Sequence, residues 1–293
     1  MKQETGRLDR LFDYLIHVVL LLLVAVTLYP LLYVLFASVS EANQLVSHKG
    51  FLWKPLGFSL EAYLNVFRNP GILTGYKNTL FILFFGVILN LTMTSLAAYV
   101  LSRKNVMWNK LFIFVIVFTM FFNGGLIPIY LIVKNVGLVN TLWATIIPFA
   151  ISTFNLIIMR TAFMAVPDSL EESAKMDGAN HFTILLRIII PLSMPVIAVM
   201  ILYYAVEKWN GWFYAAVFIQ DRELFPLQLV LREILIANAT DSMSGDASAG
   251  ERFQVGETIK YATIMIATVP ILCVYPFVQK YFVKGVMVGA LKG

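Results

Sequence analysis

The sequence predicts an all-α polytopic membrane protein, and two observations lead to this class. Of the 293 residues, 59% are hydrophobic and 13% are charged, whereas a soluble domain carries roughly 45–50% apolar and about 25% charged residues. The apolar residues also gather in long runs, and about 20 largely apolar residues are enough for a helix to cross a bilayer. Because six runs reach that length, we predict six transmembrane helices.

These runs define the predicted transmembrane domain, which extends over residues 15–281. A terminal segment of residues 1–14 precedes it, and a tail of residues 282–293 follows it. The ends of each span are expected to be uncertain by a few residues. The predicted spans are 15–37, 79–101, 111–133, 142–163, 188–206 and 259–281.

The two longest connecting segments, 38–78 and 207–258, are predicted to lie outside the cell. Lys and Arg are concentrated in the short segments on the other side, and such residues favour the cytoplasm. With an even number of spans, both termini are then cytoplasmic. The first apolar run exceeds the roughly 7–15 residues of a signal-peptide core, so we expect it to remain as a span. Within the second long segment, the polar tract 238–250 lacks a core-forming pattern and is expected to be mobile.

Several kinds of site are excluded by the sequence. The single cysteine, Cys273, cannot form a disulfide framework within the chain. The three histidines, His17, His48 and His181, do not have a metal-ligand spacing. No G-x-x-x-x-G-K-[ST] motif is present, so we expect no bound nucleotide and no cofactor in this chain. The net charge of +5 comes from Lys and Arg beside apolar spans, which explains it without nucleic acid.

The cytoplasmic segment 164–187 carries an acidic stretch that is typical of a short helix. Either Asp168 or Ser169 can cap its start, since each is followed three residues later by a glutamate in a capping-box pattern. Gly178 can adopt the left-handed conformation that ends a helix. A second helix is then predicted from about His181, continuous with the fifth span, so that a push on the first helix would tilt that span.

One face of the first helix carries mainly small side chains, so another surface could approach it closely. The acidic charge argues against a loop that lies on anionic lipid. Docking to a protein partner is therefore favoured over an ordinary amphipathic loop at the membrane surface. The face consists of Leu170, Ser173, Ala174 and Asp177, at positions i, i+3, i+4 and i+7.

This stretch resembles the EAA loop of the permeases of ABC importers. Two residues depart from the family pattern, Ser173 in place of the first Ala and Ile190 in place of Leu. Further stretches at 95–103, 125–143, 155–172 and 281–293 look like the carbohydrate-uptake branch, in particular the maltose-type second permease subunit and permeases for complex oligosaccharides. The residues that match the motif are Glu172, Ser173 and Ala174, then Asp177, Gly178 and Ala179, then Ile188, Ile190 and Pro191.

The resemblance implies a type I ABC importer permease fold in a bacterial cell membrane. It implies a second homologous permease, a cytoplasmic ATPase dimer that binds ATP and Mg²⁺, an extracellular solute-binding lipoprotein, an oligosaccharide cargo and surrounding lipid. Glu172 is expected to pair with a basic residue of the ATPase, although it could instead serve as a capping residue. The residues implied in ATPase coupling are Leu170, Glu171, Glu172, Ser173, Ala174, Asp177, Gly178 and Ala179.

A translocation path needs polar groups within the spans, where their burial is costly. Sugars also suit aromatic side chains, which are present at the outer end of the fifth span. The alternative is structural, because Trp anchors interfaces and polar side chains bond across helices. In the family, the partner permease is the main sugar holder. The candidate path residues are Asn90, Thr94, Asn123, Asn155, Trp209, Asn210 and Trp212.

Two other functions are considered. The same kind of importer could carry a non-sugar cargo such as polyamine, phosphate or glycerol phosphate. An ion-coupled carrier is disfavoured, since no Asp, Glu, Lys or Arg falls near the middle of the six predicted spans and carriers use such mid-membrane sites. A membrane enzyme is disfavoured because the sequence shows no cluster of His, Asp or Glu near one interface.

Overall fold

The computed structural model describes residues 7–243, 256–273 and 275–276, and all regular elements in these ranges are helices. The described residues form two compact units. One contains residues within 1–69 and 231–269, and the other contains residues within 70–230 and 270–293. The all-α prediction is therefore confirmed for the described part of the chain.

The first unit is built on helix α1, Arg7–Ser38. Its stretch Leu11–Ser38 is long and apolar enough to cross a membrane, and its side chains from Leu11 to Leu28 are largely exposed, as expected of a surface that meets lipid or another membrane helix. The unit also contains α2 (Ala42–Ser47), α3 (Glu61–Arg68), and most of α13 (Leu227–Met243) and of α14 (residues 256–273 and 275–276).

The segment after α1 is ordered by a small aromatic and apolar cluster. Ala37, Leu45 and Leu52 are buried together, with Tyr33 and Tyr261 packed against them. The predicted outer segment 38–78 contains the two short helices α2 and α3. Its last residues already belong to α4, which begins at Pro70.

The second unit is organised around α4, Pro70–Ser102, which is 33 residues long and packs against α7 and α11. The remaining helices of this unit are α5 (Asn109–Phe121), α6 (Leu126–Asn135), α7 (Thr153–Met164), α8 (Asp168–Met176), α9 (His181–Ile184), α10 (Ile190–Leu192), α11 (Met194–Asn210) and α12 (Phe213–Phe218). An apolar core of this unit joins α4, α7, α9 and α11 through buried residues that include Ala98, Leu156, Met159, Ile184 and Met200.

Three predicted spans are broken, so the prediction that each is one continuous helix is wrong. Helices α5 and α6 meet at 113°, the 3-10 segment Leu142–Phe149 meets α7 at 49°, and His181–Leu192 meets α11 at 88°. Among the described residues, two helices are long and apolar enough to cross a membrane, or up to five spans if each bent pair counts as one. These five correspond to the first five predicted spans.

Each break has a local cause in the sequence. Between α5 and α6, Gly125 has φ of 83° and its N–H donates to the side chain of Asn123 at 2.9 Å. Ahead of α7, the Ser152 side chain caps the helix by accepting from the backbone of Asn155. Before α11, two prolines, Pro191 and Pro195, flank the bend and remove backbone donors.

The sixth predicted span, 259–281, begins within α14 and ends outside the described residues. Residues 244–250 of the tract expected to be mobile also lie outside them, whereas residues 238–243 belong to α13.

Candidate functional site

Helix α8 lies where the acidic stretch predicted a helix, but it begins differently. Its N-cap is Pro167, and no side chain makes a cap hydrogen bond, so the predicted capping box at Asp168 or Ser169 is wrong. The Asp168 carboxylate instead pairs with Nζ of Lys104 at 2.7 Å, on the surface. The acidic side chain that could cap an isolated helix thus pairs with a residue from another part of the chain.

Glu171 is turned into the protein, where it is 6% exposed. Its carboxylate accepts a hydrogen bond from the guanidinium of Arg103, at the end of α4. Nζ of Lys175 lies 3.0 Å from the same carboxylate, and the Tyr99 hydroxyl donates to it at 3.4 Å. A buried carboxylate needs such partners, so Glu171 fixes α8 against α4.

Arg103 also contacts the end of α7. It donates to the backbone oxygen of Phe163 at 3.3 Å and lies 4.9 Å from the centre of the Tyr99 ring. The Tyr99 hydroxyl in turn contacts Nδ1 of His181, at the start of α9, at 3.0 Å. Four helices, α4, α7, α8 and α9, therefore meet at one polar cluster. We call Tyr99, Arg103, Glu171, Lys175 and His181 the anchor cluster.

The charges of this region stabilise one another. Burial opposes ionisation of Glu171, but the hydrogen bond from Lys175 and the charge of Arg103 outweigh it, so the pKa of Glu171 lies below its ordinary value. On the surface, the hydrogen bond with Asp168 raises the pKa of Lys104 and lowers the pKa of Asp168. Glu171 and Asp168 are therefore both ionised at neutral pH.

The end of α8 has the predicted glycine bend. Gly178 has φ of 80°, and a Cβ at this position would meet open space. The N–H of Gly178 donates to Lys175 O at 3.0 Å and that of Ala179 to Ala174 O at 2.9 Å, which is the Schellman pattern. Asn180 then caps α9 by accepting from the N–H of Thr183 at 2.8 Å. The predicted start of the second helix at His181 is confirmed.

The predicted coupling residues divide between two sides of this segment. Glu171 is buried, and Ala174 and Ala179 are partly buried against the core. The others form a surface that the protein leaves open. We call this surface the α8 face; it consists of Leu170, Glu172, Ser173, Asp177 and Gly178, all exposed.

The second helix does not run straight into the fifth span, so the predicted continuous lever is wrong. Helix α9 passes through a π-helical stretch, Leu185–Ile189, and α10, and the chain then turns by 88° at Ser193. π-Helical turns often mark functional positions. A cavity of about 420 Å³ lies beside this segment, lined by the anchor cluster together with Phe182 and Leu185 among others.

Three of the predicted path residues, two in α4 and one in α7, are buried in the second unit. Nδ2 of Asn90 donates to Phe149 O at 3.2 Å, and the hydroxyl of Thr94 lies 2.7 Å from that of Tyr204. Asn155, in the first turn of α7, is 4% exposed. These contacts hold helices together, which matches the structural alternative as well as a path lining.

The other four predicted path residues lie elsewhere. Asn123 is exposed in the turn between α5 and α6. Trp209 is buried near Tyr76, with ring centroids 6.3 Å apart, while Asn210 is exposed and donates to Val206 O at 2.9 Å. Trp212 and Asn210 line a second cavity of about 220 Å³ at the end of α11.

Sequence reasoning missed the partners that position these residues. Tyr99 and Arg103 belong to the stretch 95–103 that carried part of the family resemblance, but nothing local indicates that they reach α8. Tyr204 and Lys208 lie in α11 and are buried, although the outer segment 207–258 predicted from the sequence includes Lys208. The signal that could have drawn attention to Lys208 is a cation set among aromatic residues.

Comparison with known proteins identifies the family. Residues 71–288 match the model of the binding-protein-dependent transport system inner membrane component. The chain belongs to this family. The permease is 42% identical over 287 residues to the polygalacturonan/rhamnogalacturonan transport system permease protein YtcP of Bacillus subtilis (strain 168), covering 97% of this chain and 99% of the relative.

Two further matches agree. Protein LplC of Bacillus subtilis (strain 168) is 42% identical over 269 residues, which cover 92% of this permease and 90% of LplC. A solved structure, a bacterial ABC transporter involved in the import of the acidic polysaccharide alginate, matches with a TM-score of 0.85 and 34% identity over 96% of this chain and 100% of that one. The permease is thus a membrane subunit with the type I ABC importer fold, as the sequence predicted.

Proposed function

We propose that the permease forms, with a second homologous permease, the membrane path by which an ATP-driven importer takes up oligosaccharides. Its most similar relatives described above support a saccharide cargo: one is named for polygalacturonan and rhamnogalacturonan transport, and the neighbouring structure belongs to an importer of the acidic polysaccharide alginate. The alternative cargoes, polyamine, phosphate and glycerol phosphate, have no counterpart among these relatives.

The observation that carries the coupling proposal is the division of α8 into two sides. Its inner side is fixed by the Glu171 pair with Arg103, while the α8 face is exposed. A helix held rigidly and left open on one face can transmit a push to the helix bundle. We propose that the α8 face docks on a cytoplasmic ATPase dimer, which binds ATP and Mg²⁺, and that Glu172 pairs with a basic residue there.

The remaining parts of the proposal follow from this arrangement. If α8 docks on a cytoplasmic ATPase, both termini are cytoplasmic and the segments 38–78 and 207–258 face a solute-binding lipoprotein outside. The chain itself then performs no chemistry, and no nucleic acid takes part. Its part in transport would be mechanical: it would help to form the path and would transmit the motion of the ATPase.

The test is uptake by the complete importer, reconstituted in proteoliposomes with its partner permease, ATPase and binding protein. We expect labelled oligosaccharide to enter only with ATP, and polyamine or phosphate to compete poorly. Glu172→Lys should reduce ATPase co-purification and uptake by about tenfold, because it reverses the charge of a proposed ion pair.

The matched control is Glu61→Lys, which makes the same charge change on an exposed residue of α3. It should leave both ATPase co-purification and uptake unchanged. The coupling proposal fails if Glu172→Lys transports at the wild-type rate with the ATPase still bound. The cargo proposal fails if no oligosaccharide stimulates ATP hydrolysis while a non-sugar solute does.

A further inference from the structure

A lysine is buried at the end of a helix that belongs to a candidate membrane span. Lys208 lies in the last turn of α11, and its residue exposure is 6%. A charged side chain inside a membrane segment is costly, and such residues usually mark a substrate or ion path. The burial of this cation therefore requires a reason.

The fold makes room for this side chain. A Cβ atom at Gly86, on the facing side of α4, would lie 3.3 Å from Cε and 3.4 Å from Cδ of Lys208. These distances are tighter than ordinary van der Waals contact, so a larger residue at position 86 would displace the lysine stem. Gly86 lets α4 pack over the stem, and the ammonium extends beyond it.

The ammonium has few partners for its three donors. It donates to Thr145 O at 3.3 Å and lies 5.9 Å from the centre of the Phe149 ring. The Glu207 carboxylate is 3.9 Å away, with its side chain 51% exposed. Among the residues that the structure describes, Thr145 O is the hydrogen-bond acceptor that Nζ reaches. The ammonium thus keeps capacity for a further acceptor.

A cavity opens on this group. It has a volume of about 220 Å³, and Lys208, Phe149, Trp212, Phe213 and Tyr214 are among its lining residues. Aromatic rings offer apolar faces to the C–H faces of a sugar, while an ammonium binds a carboxylate. The volume is below the roughly 300–1,000 Å³ of pockets for drug-sized ligands, so it suits one ring of a longer chain.

We propose that Lys208 binds the carboxylate of an acidic sugar unit as an oligosaccharide passes this cavity, and that the site selects anionic over neutral cargo. This inference rests on the proposed function. The cargo carboxylate would accept a hydrogen bond from Nζ, with a sugar face against Trp212 or Tyr214. Glu207 competes for the same ammonium, but its attraction is weakened by solvent because its side chain is 51% exposed.

The test uses the complete reconstituted importer with two probes of equal length, trigalacturonate and its carboxyl-reduced, neutral analogue. Lys208→Met and Lys208→Gln remove the charge, and Lys208→Gln keeps a donor for Thr145 O. Each should lower the ratio of acidic to neutral uptake by about tenfold or more, the scale of one hydrogen bond to a charged group. Glu207→Gln should raise the ratio.

Lys134→Gln is the matched control, because it removes a cation from an exposed position in the last turn of α6. It should leave the ratio unchanged. Direct binding of labelled trigalacturonate to the purified complex without the binding protein gives a second readout. Its Kd should rise about tenfold in both Lys208 variants and stay unchanged in Lys134→Gln. Co-purification of all subunits shows that the variants assemble.

The outcomes separate the two proposals. Equal loss of acidic and neutral uptake in both Lys208 variants, with unchanged trigalacturonate binding, would show a structural role and overturn the inference. If the wild-type importer took up the neutral oligosaccharide but not the acidic one, the inference would also be overturned, while the proposed function would stand. Failure of the wild-type importer to take up any oligosaccharide would instead overturn the proposed function.

Discussion

Arg103 pairs with Glu171, and this contact joins the end of α4 to the middle of α8. The two residues are separated by 68 positions in the sequence. Because α4 packs against α7 and α11, the pair links α8 to the centre of the second unit. A force applied to α8 therefore has a direct route into the helix bundle that does not depend on the bent connection through Ser193.

The first prediction concerns this pair. Arg103→Met removes one partner of the Glu171 carboxylate and leaves Lys175 and Tyr99 beside it. Removing one member of a fully buried pair costs roughly 3–5 kcal/mol. Because the two side chains are 13% and 8% exposed, we expect a smaller loss of unfolding free energy, about 1–3 kcal/mol. Thermal unfolding of the purified permease measures it, and ATP-driven uptake should fall in parallel.

The matched control is Lys104→Met, which breaks an ion pair between exposed residues. Exposed pairs contribute little, so its unfolding should resemble the wild type. The double variant Arg103→Met with Glu171→Leu removes both charges and should recover part of the lost stability. Equal effects of the Arg103 and Lys104 variants would contradict the anchoring role.

The second prediction concerns pH. The pKa of Glu171 is lowered in the folded protein from its ordinary value of 4.5. The unfolded state therefore binds the proton more readily, and the stabilisation is fully present above pH 4.5 and lost as pH falls through the lower, folded pKa. The stability difference between the wild type and Glu171→Gln should stay constant from neutral pH to about 5 and shrink below it.

Unfolding of both proteins across this pH range provides the measurement. Glu172→Gln is the control, since it removes the same charge from the exposed side of the same helix. Its difference from the wild type should be small throughout. A Glu171→Gln difference that grows as the pH falls would have the wrong sign for an ionised, anchored carboxylate.

Features governed by local chemistry could be predicted from the sequence. Apolar run length placed the first five spans, and the acids followed by Asp177-Gly178 placed α8 and its end. Helix α9 begins at His181 as predicted. These features depend on a few neighbouring residues, so one sequence is enough to locate them.

Features governed by contacts between distant residues could not be predicted from the sequence. The two glutamates of α8 fit a capping pattern equally well, and only Arg103 from α4 decides that Glu171 turns inward and Glu172 outward. Lys208 is similar, because its burial depends on Gly86 in another helix. The helix breaks did have local signals, including Gly125 and Pro191, but apolar run length averages over them.

The third prediction uses two helix ends with the same geometry. Gly178 ends α8 and Gly137 ends α6, with φ of 80° and 76°, and a Cβ at either position would meet nothing within 4 Å. Both follow the Schellman pattern. Gly178→Ala and Gly137→Ala should therefore each cost about 1 kcal/mol of unfolding free energy, from backbone strain alone.

Function should separate the two variants. If α8 is the coupling helix, Gly178→Ala lowers the uptake per ATP hydrolysed, whereas Gly137→Ala does not. Gly178→Asn should recover part of the coupling, because Asn tolerates the left-handed conformation. The comparison is made in proteoliposomes by measuring uptake and phosphate release together. Equal coupling in the two alanine variants would show that the Gly178 bend has no special mechanical part.

The last prediction concerns the buried hydroxyl pair of Thr94 and Tyr204, which are 2.7 Å apart at the contact of α4 with α11. The Tyr204 hydroxyl also accepts from the N–H of Ser152 at 3.3 Å, next to α7. Tyr204→Phe leaves both groups unpaired and should cost about 1–3 kcal/mol, while Thr94→Val leaves the tyrosine bonded to Ser152 and should cost less. Because the two residues share one contact, the double variant should lose less than the sum of the single losses, by about 1 kcal/mol.

Unfolding of the wild type, the two single variants and the double variant completes the cycle, with uptake measured alongside. Strict additivity would show that the pair does not hold α4 to α11, and lost uptake at unchanged stability would place Thr94 in the translocation path instead.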